Sequence, residues 1–250
     1  MNDILKSVDR RLFRHRVELA SLIGGIGFLF FLFTPVHAAR FSARIFELPE
    51  EAFVSGVYVA LAFLNLAAAA LRIWAGGTLG AARMMAIDVQ SESLITAGPY
   101  GHVRNPIYLS DVMTLAGMGL VVPWPGSLTV WILLALIYPR LMHYEEQNLL
   151  TSLGDSYAQF QNEVPRFGWR MRAYRPEGEK VTGAFDWREG IANNFIYLPL
   201  IPGFFVCAAT GTLWHGVAVG AIGPVAWIAL HFWRNFKPGG LAEKAGGFDE

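Results

Sequence analysis

Gly98-Pro99-Tyr100-Gly101-His102-Val103-Arg104-Asn105-Pro106-Ile107-Tyr108 stand in one unbroken run directly before an apolar stretch. Asn105 and Pro106 read as an N-cap followed by proline in the first helical turn, so a helix is expected to begin here with its unpaired N–H groups facing the preceding segment. Such an end attracts an anionic group. The rings of Tyr100 and Tyr108 offer faces to a cation, and Arg104 adds a charge of its own. A second set of reactive types follows from Arg140 to Phe167, RLMHYEEQNLLTSLGDSYAQFQNEVPRF. Its apolar residues Leu149, Leu150, Leu153, Tyr157, Phe160 and Val164 follow one face of a helix, while Gln147, Asn148, Thr151, Ser152 and Asp155 fall opposite. One turn back from the leucines lie Glu145 and Glu146. A carboxylate held against apolar surface costs desolvation energy unless it meets a cation or several donors. Arg104, Arg140 and a bound cationic ligand are the candidate partners.

Other chemistries find little support. His15, His37, His102, His143, His215 and His231 show no metal-ligand spacing with cysteines or acids, and no Ser-His-Asp or Cys-His pairing suggests itself. No metal is expected. Cys207 is the single cysteine, so no disulfide forms within the chain, and no base or cation beside it would activate its thiol. Nucleic acid is not an expected partner, because the basic residues form no stripe.

The elements that must position these residues are membrane helices. Apolar residues make up 54% of the chain and charged ones 16%, outside the range of soluble domains. Apolar stretches recur at about Leu19–Val36, Val54–Ala75, Ile107–Val122, Trp124–Met142, Phe195–Leu213 and Val217–Trp233, most of them near the roughly 20 residues a bilayer-spanning helix needs. The expected fold is all-α, a polytopic membrane protein of about six transmembrane helices with a cytoplasmic amphipathic helix. The third and fourth stretches form a short hairpin across Pro123-Trp124-Pro125-Gly126.

With six spans, 18 of the 20 Lys and Arg residues fall on one side, and only Arg40 and Arg44 lie in the first outer loop. By the positive-inside tendency both termini and both long loops are cytoplasmic. On these features alone the Gly98–Tyr108 run also fits a loop that turns the chain back into the bilayer, with Arg104 snorkelling to lipid phosphates and the tyrosines as interfacial anchors.

Four regions are expected: an N-terminal transmembrane hairpin over residues 1–70, a core carrying the site over 71–175, a C-terminal hairpin over 176–236 and a disordered tail over 237–250. Gly24, Gly25, Gly27 and Ala67–Ala70 suit close helix approach in lipid, as does Gly216-Val217-Ala218-Val219-Gly220, either within the chain or in a homodimer. Pro199, Pro202 and Pro224 are expected to kink the last two spans.

Taken together, the two reactive segments resemble the isoprenylcysteine carboxyl methyltransferase and phospholipid methyltransferase family. That family's pattern is GPYxxVRHPxY opening a helix, a short helical hairpin, then EExxLxxxFGxxYxxYxxxVPRF. Here it stands as Gly98-Pro99-Tyr100, Val103-Arg104-Asn105-Pro106-Ile107-Tyr108, Glu145-Glu146, Leu149, Gly154, Tyr157 and Val164-Pro165-Arg166-Phe167, preceded by Thr78-Leu79-Gly80. The match runs from about Leu71 to Phe167.

The resemblance implies methyl transfer from S-adenosyl-L-methionine, bound on the cytoplasmic side, to a lipid-like or small amphiphilic acceptor arriving through the bilayer. By that analogy Glu92, Ser93, Leu94, Ile95, Tyr100, Asn105, Pro106, Ile107, Tyr108 and Glu145 line the cofactor pocket, with Arg104, Arg140 and Glu146 as the candidate catalytic residues. An acceptor carboxylate would be oriented by Arg104 or Arg140; an acceptor amine would need a base such as Glu146, His102 or His143. The chain departs from the pattern at Asn105, where the family carries histidine. Two rivals remain at this point: an NADPH-dependent membrane reductase of the related sterol-reductase type, and a non-catalytic membrane scaffold.

Overall fold

The computed structural model of the chain describes residues 2–80, 93–176, 183–192 and 194–235. Among them the regular elements are helices: α1 (Asn2–Arg14), α2 (Arg16–Leu29), α3 (Ala38–Ile45), α4 (Glu50–Leu79), α5 (Pro106–Met118), α6 (Trp124–Leu153), α7 (Asp155–Glu163), α8 (Trp187–Ala192), α9 (Leu200–Thr210), α10 (Leu213–Gly220) and α11 (Ile222–Asn235). The all-α membrane fold expected from composition is the one observed.

The six apolar stretches are helical, but they do not all have the length of a crossing. Among the described residues three helical segments are long and apolar enough to span a bilayer, Glu50–Leu79, Trp124–Leu153 and Leu213–Leu230, and a fourth is obtained if the pair Ser7–Arg14 and Arg16–Leu32, bent by 77°, counts as one. Pro106–Val121 and Phe195–Thr210 are shorter. At a rise of about 1.5 Å per residue they fall short of a hydrocarbon core about 30 Å thick. Of the about six transmembrane helices expected, a short hairpin among them, three or four among the described residues are thus long enough to cross, with two shorter apolar helices packed among them.

Prolines explain part of this. Pro199 occupies the N-cap of α9, with Pro202 in its first turn, and Pro224 lies in the first turn of α11. They begin helices where the backbone N–H needs no partner, instead of kinking long ones as expected. The proline that does lie inside a helix is Pro139 of α6.

The bundle is built on α4, which packs against α5, α9 and α8, while α2 lies along α6. Two buried clusters fill it. One joins Phe13, Ile23, Tyr108, Leu115, Leu134, Tyr138 and Met142; the other joins Tyr58, Leu61, Val121, Phe204 and Cys207. Small residues allow the closest approaches. A Cβ at Gly216 would lie 2.1 Å from Cys207 Sγ and 2.3 Å from the Gly203 carbonyl oxygen, so the small-residue face of α10 is spent within the chain, against α9. Leu22, Leu32, Phe33, Phe63, Leu66, Leu136, Phe205 and Val225 are exposed on the outside, an apolar belt suited to lipid.

The tail from 237 onward, expected to be disordered, lies outside the described residues. Helix α6 runs unbroken from the span into the expected cytoplasmic helix. It stops at Gly154, whose φ of 56° and ψ of −129° only glycine adopts readily, and α7 continues at a new angle.

Candidate functional site

Glu146 is the hub of the site. Its side chain is 1% exposed and accepts from three neighbours: Asn105 Nδ2 at 2.9 Å, Arg104 Nε at 3.1 Å and Arg166 Nη2 at 2.5 Å. The Arg166 Nε–H is shared between both carboxylate oxygens at 3.2 Å. Arg104 in turn donates from Nη1 to the Gln161 carbonyl at 2.5 Å. The buried carboxylate that sequence phase demanded a partner for has two guanidiniums and an amide, which offset its desolvation. Their position follows from the leucine face: Leu149, Leu150, Leu153, Tyr157, Phe160, Val164 and Tyr174 pack together, and Leu94 joins them. Burial raises the Tyr157 hydroxyl above its ordinary pKa, with Glu146 adding to the effect.

Backbone pairing ties the Gly98–Tyr108 run to the chain after α7. Arg104 N–H donates to the Pro165 carbonyl at 2.9 Å, Arg170 N–H to His102 at 3.0 Å and Tyr174 N–H to Gly101 at 2.8 Å. His102 donates from Nδ1 to the Arg170 carbonyl at 2.7 Å and stacks on Trp169, with ring centroids 4.7 Å apart. Gly98, at φ 56°, turns the chain where a Cβ would lie 2.7 Å from Thr78 Oγ1 and 2.8 Å from Trp74 Nε1.

Tyr100, Tyr108 and Glu145 converge beside this hub. Tyr108 is hydrogen-bonded to Glu145 and lies within the field of Arg16 from α2. Tyr100 is buried within electrostatic reach of Glu145, and among the described residues its hydroxyl has no hydrogen-bond partner; the Thr96 hydroxyl shares that condition. Burial, reinforced by Glu145, pushes the Tyr100 hydroxyl above its ordinary pKa, so it is a donor at neutral pH. A buried hydroxyl without a partner costs about 1–3 kcal/mol. Asn105 sits at the N-cap of α5, yet its side chain caps nothing, because it is turned to Glu146. The first turn of α5 therefore begins at Pro106 with no side-chain cap.

Not every expected residue arrives here. Arg140 pairs with Asp9 of α1, Nη2 to Oδ1 2.8 Å, and is partly exposed, so it serves neither glutamate. His143 is exposed. Leu94 and Ile95 line the segment leading into the site, Ile95 pressing within 3.1 Å of the Cβ position of Gly183. Ser93 precedes them, and Glu92 lies outside the described residues. Arg166, unassigned by sequence reasoning although quoted in Val164-Pro165-Arg166-Phe167, is a principal partner of Glu146.

A second polar network lies deeper and was missed. Arg72 of α4, only 8% exposed, pairs through Nη1 with Asp111 of α5, and donates to Ser110 Oγ at 3.3 Å and from Nε to Asn194 Oδ1 at 2.8 Å. Its guanidinium lies 4.4 Å from the Tyr197 ring centroid. Tyr138 of α6 is hydrogen-bonded to Asp111 and meets Tyr108 edge-on, centroids 6.0 Å apart. The available signal was an acid in the middle of an apolar stretch, since ionisable groups inside membrane segments are functional by default. Among the described residues no three His, Cys, Asp or Glu side chains are grouped to hold a metal ion.

Similar sequences occur among known proteins. The cobalt-zinc-cadmium resistance protein CzcN of Cupriavidus metallidurans is 27% identical over 134 residues, covering 52% of this chain and 58% of that protein. The nickel-cobalt-cadmium resistance protein NccN of Alcaligenes xylosoxydans xylosoxydans is 25% identical over 113 residues, 44% of this chain and 51% of that protein. The chain thus spans only a little over half the length of these curated relatives. No solved structure matches. The sequence model of the phospholipid methyltransferase family matches residues 57–155, a range that holds Arg72, Tyr100, Arg104, Asn105, Tyr108, Asp111, Glu145 and Glu146. That range, about two fifths of the chain, is similar to the phospholipid methyltransferase family, and its apolar helices make the chain an integral membrane protein.

Proposed function

We propose that the chain transfers a methyl group from S-adenosyl-L-methionine to a lipid-like or small amphiphilic acceptor, with the donor bound on the cytoplasmic side. The observation that carries this reading is the buried Tyr100 hydroxyl, unpartnered among the described residues and within electrostatic reach of Glu145, together with the uncapped first turn of α5 and the Tyr108–Glu145 pair. These groups fit such a donor. The helix start and the Tyr100 O–H suit its carboxylate. The Glu145 charge and the two tyrosine rings suit its sulfonium. When bound, the sulfonium supplies an electrophilic methyl group.

The chain's residues then have three tasks. Glu145, oriented by Tyr108, places negative charge next to the bound cation. Glu146 holds Arg104, Asn105 and Arg166 in one rigid cluster, fixing where α5 starts relative to α6; with its oxygens committed, it is a positioning residue rather than a free base. Arg104, anchored to Glu146 and Gln161, braces the loop. The leucine face and Tyr157 exclude water, which matters because displacement at a sulfonium mainly needs donor and acceptor held near 3 to 3.5 Å. Asn105 performs its role as an amide donor to Glu146, so the histidine of the family pattern is not required for the cluster to close.

The test is calorimetric titration of the detergent-solubilised protein with S-adenosylmethionine, paired with methyl-labelled donor and lipid extraction from membranes. Binding and label transfer that fall in Glu145→Gln and Tyr108→Phe are the expected result. Saturable NADPH binding with none of S-adenosylmethionine would overturn the proposal.

A further inference from the structure

A cavity of about 260 Å³ opens on the far side of the Arg72–Asp111 network. Helices α2 and α5, the turn at Ile196 and Tyr197, α9 and the start of α11 line it. Its polar wall is Asp111, Thr114, Tyr197 and Ser21; the remainder is apolar or glycine. A second chamber of about 220 Å³ shares Phe28, Met118, Leu200, Gly220 and Pro224 with the first and continues between α9 and α10 to Cys207 and Leu213. Much of this lining comes from residues after 155, beyond the family match.

The polar end is fixed and its charge is legible. Asp111 is the charged residue of the lining. Arg72 holds it from behind and is itself pinned by Ser110, Asn194 and Tyr197. Tyr138 binds the same carboxylate and touches Tyr108, which binds Glu145. A continuous path of contacts thus joins the cavity to the proposed donor site. Arg16 also reaches Asp111 electrostatically from α2.

Resting on the methyl-transfer reading above, we propose that this cavity binds the methyl acceptor, and that the acceptor is a single-chain amphiphile with an amine head. An ammonium at Asp111, Thr114 and Tyr197 gains a charge-assisted hydrogen bond; passing its proton to the Asp111 carboxylate frees the nitrogen lone pair, which forms the N–C bond as the donor's S–C bond breaks and the neutral thioether leaves. A carboxylate head would lie beside Asp111 in a low-dielectric wall, where like charges repel strongly. Each chamber lies just below the roughly 300–1,000 Å³ of small-molecule sites, a size that suits one hydrocarbon chain better than the two of a diacyl phospholipid.

The experiment uses the full chain in detergent and a long-chain alkylamine bearing a diazirine near its tail end, with cross-links mapped by mass spectrometry and S-adenosylmethionine binding measured in parallel. Labelling is expected in the peptides of Leu200–Gly220, chased by dodecylamine at a concentration about tenfold below that of dodecanoate, a difference of about 1.4 kcal/mol. Phosphatidylethanolamine with two chains should chase poorly. Asp111→Asn should erase the preference for the amine. Gly25 lines the cavity and a Cβ there meets nothing within 4 Å, so Gly25→Leu should fold normally and abolish labelling. Donor binding combined with equal chase by dodecanoate, efficient chase by the phospholipid, or labelling indifferent to Gly25→Leu would overturn this inference alone. Failure of S-adenosylmethionine to bind while selective amine labelling persists would overturn the methyl-transfer reading and, with it, the assignment of the guest as methyl acceptor.

Discussion

Two adjacent glutamates carry different work. Removing the charge of Glu146 leaves Arg104 and Arg166 without their counter-ion at a nearly dry position, and breaking a buried pair costs about 3–5 kcal/mol. Glu146→Gln is expected to fall near the lower end, because Arg166 is a third exposed; denaturation in detergent, followed by circular dichroism, measures it. Glu145→Gln should leave stability nearly unchanged and weaken donor binding instead. Tyr100→Phe removes a hydroxyl that finds no partner among the described residues, so the free protein should gain about 1–3 kcal/mol. Its affinity for S-adenosylmethionine should drop in the same titration; an unchanged affinity would remove Tyr100 from the site. Sequence phase could place both glutamates on the leucine face because helical periodicity is local. It could not tell that Arg166, and not Arg140, would answer Glu146, since that choice depends on how the chain folds back after α7.

Among elements, the break between α6 and α7 is the most sensitive joint. Gly154 has open space where a Cβ would go, so the cost of Gly154→Ala is purely backbone, about 1–3 kcal/mol for a conformation that only glycine adopts readily. A melting temperature in detergent that does not fall would show that the joint can relax. A different penalty applies at the α9–α10 contact. Gly216→Ala should force these helices apart, since its Cβ would meet both Sγ and backbone, and enlarge the apolar chamber between them; accelerated modification of buried Cys207 by a maleimide reports the separation.

For the whole molecule, acid sensitivity should come from the loop opposite the site. His37 is buried at the N-cap of α3, where its Nδ1 accepts the Arg40 N–H, and its ring meets the Tyr58 hydroxyl at 3.2 Å. Burial, followed by the Arg40 charge, lowers its pKa to about 4. The unfolded chain binds this proton near pH 6.5 and the folded chain does not. Stability from His37 is thus complete above about pH 6.5 and is lost as pH falls towards 4, by at most about 1.4 kcal/mol per unit. A pH series of detergent denaturation midpoints should show this slope, and His37→Gln should flatten it. The two basic residues of the same loop, Arg40 and Arg44, both pair with Glu50 at 2.9 Å.

The sequence by itself determined the all-α membrane character, the hairpin from Pro106 to Leu153 and the two segments that meet at Glu146, because hydropathy and helical phase are properties of neighbouring residues. The tertiary structure alone decided how many helices are long enough to cross, and that Asn105 serves Glu146 and not its own helix. It also decided that Arg72, counted by sequence as a border cation, lies buried against Asp111. Those outcomes turn on contacts between residues far apart in the chain, where packing competes with local rules and prevails.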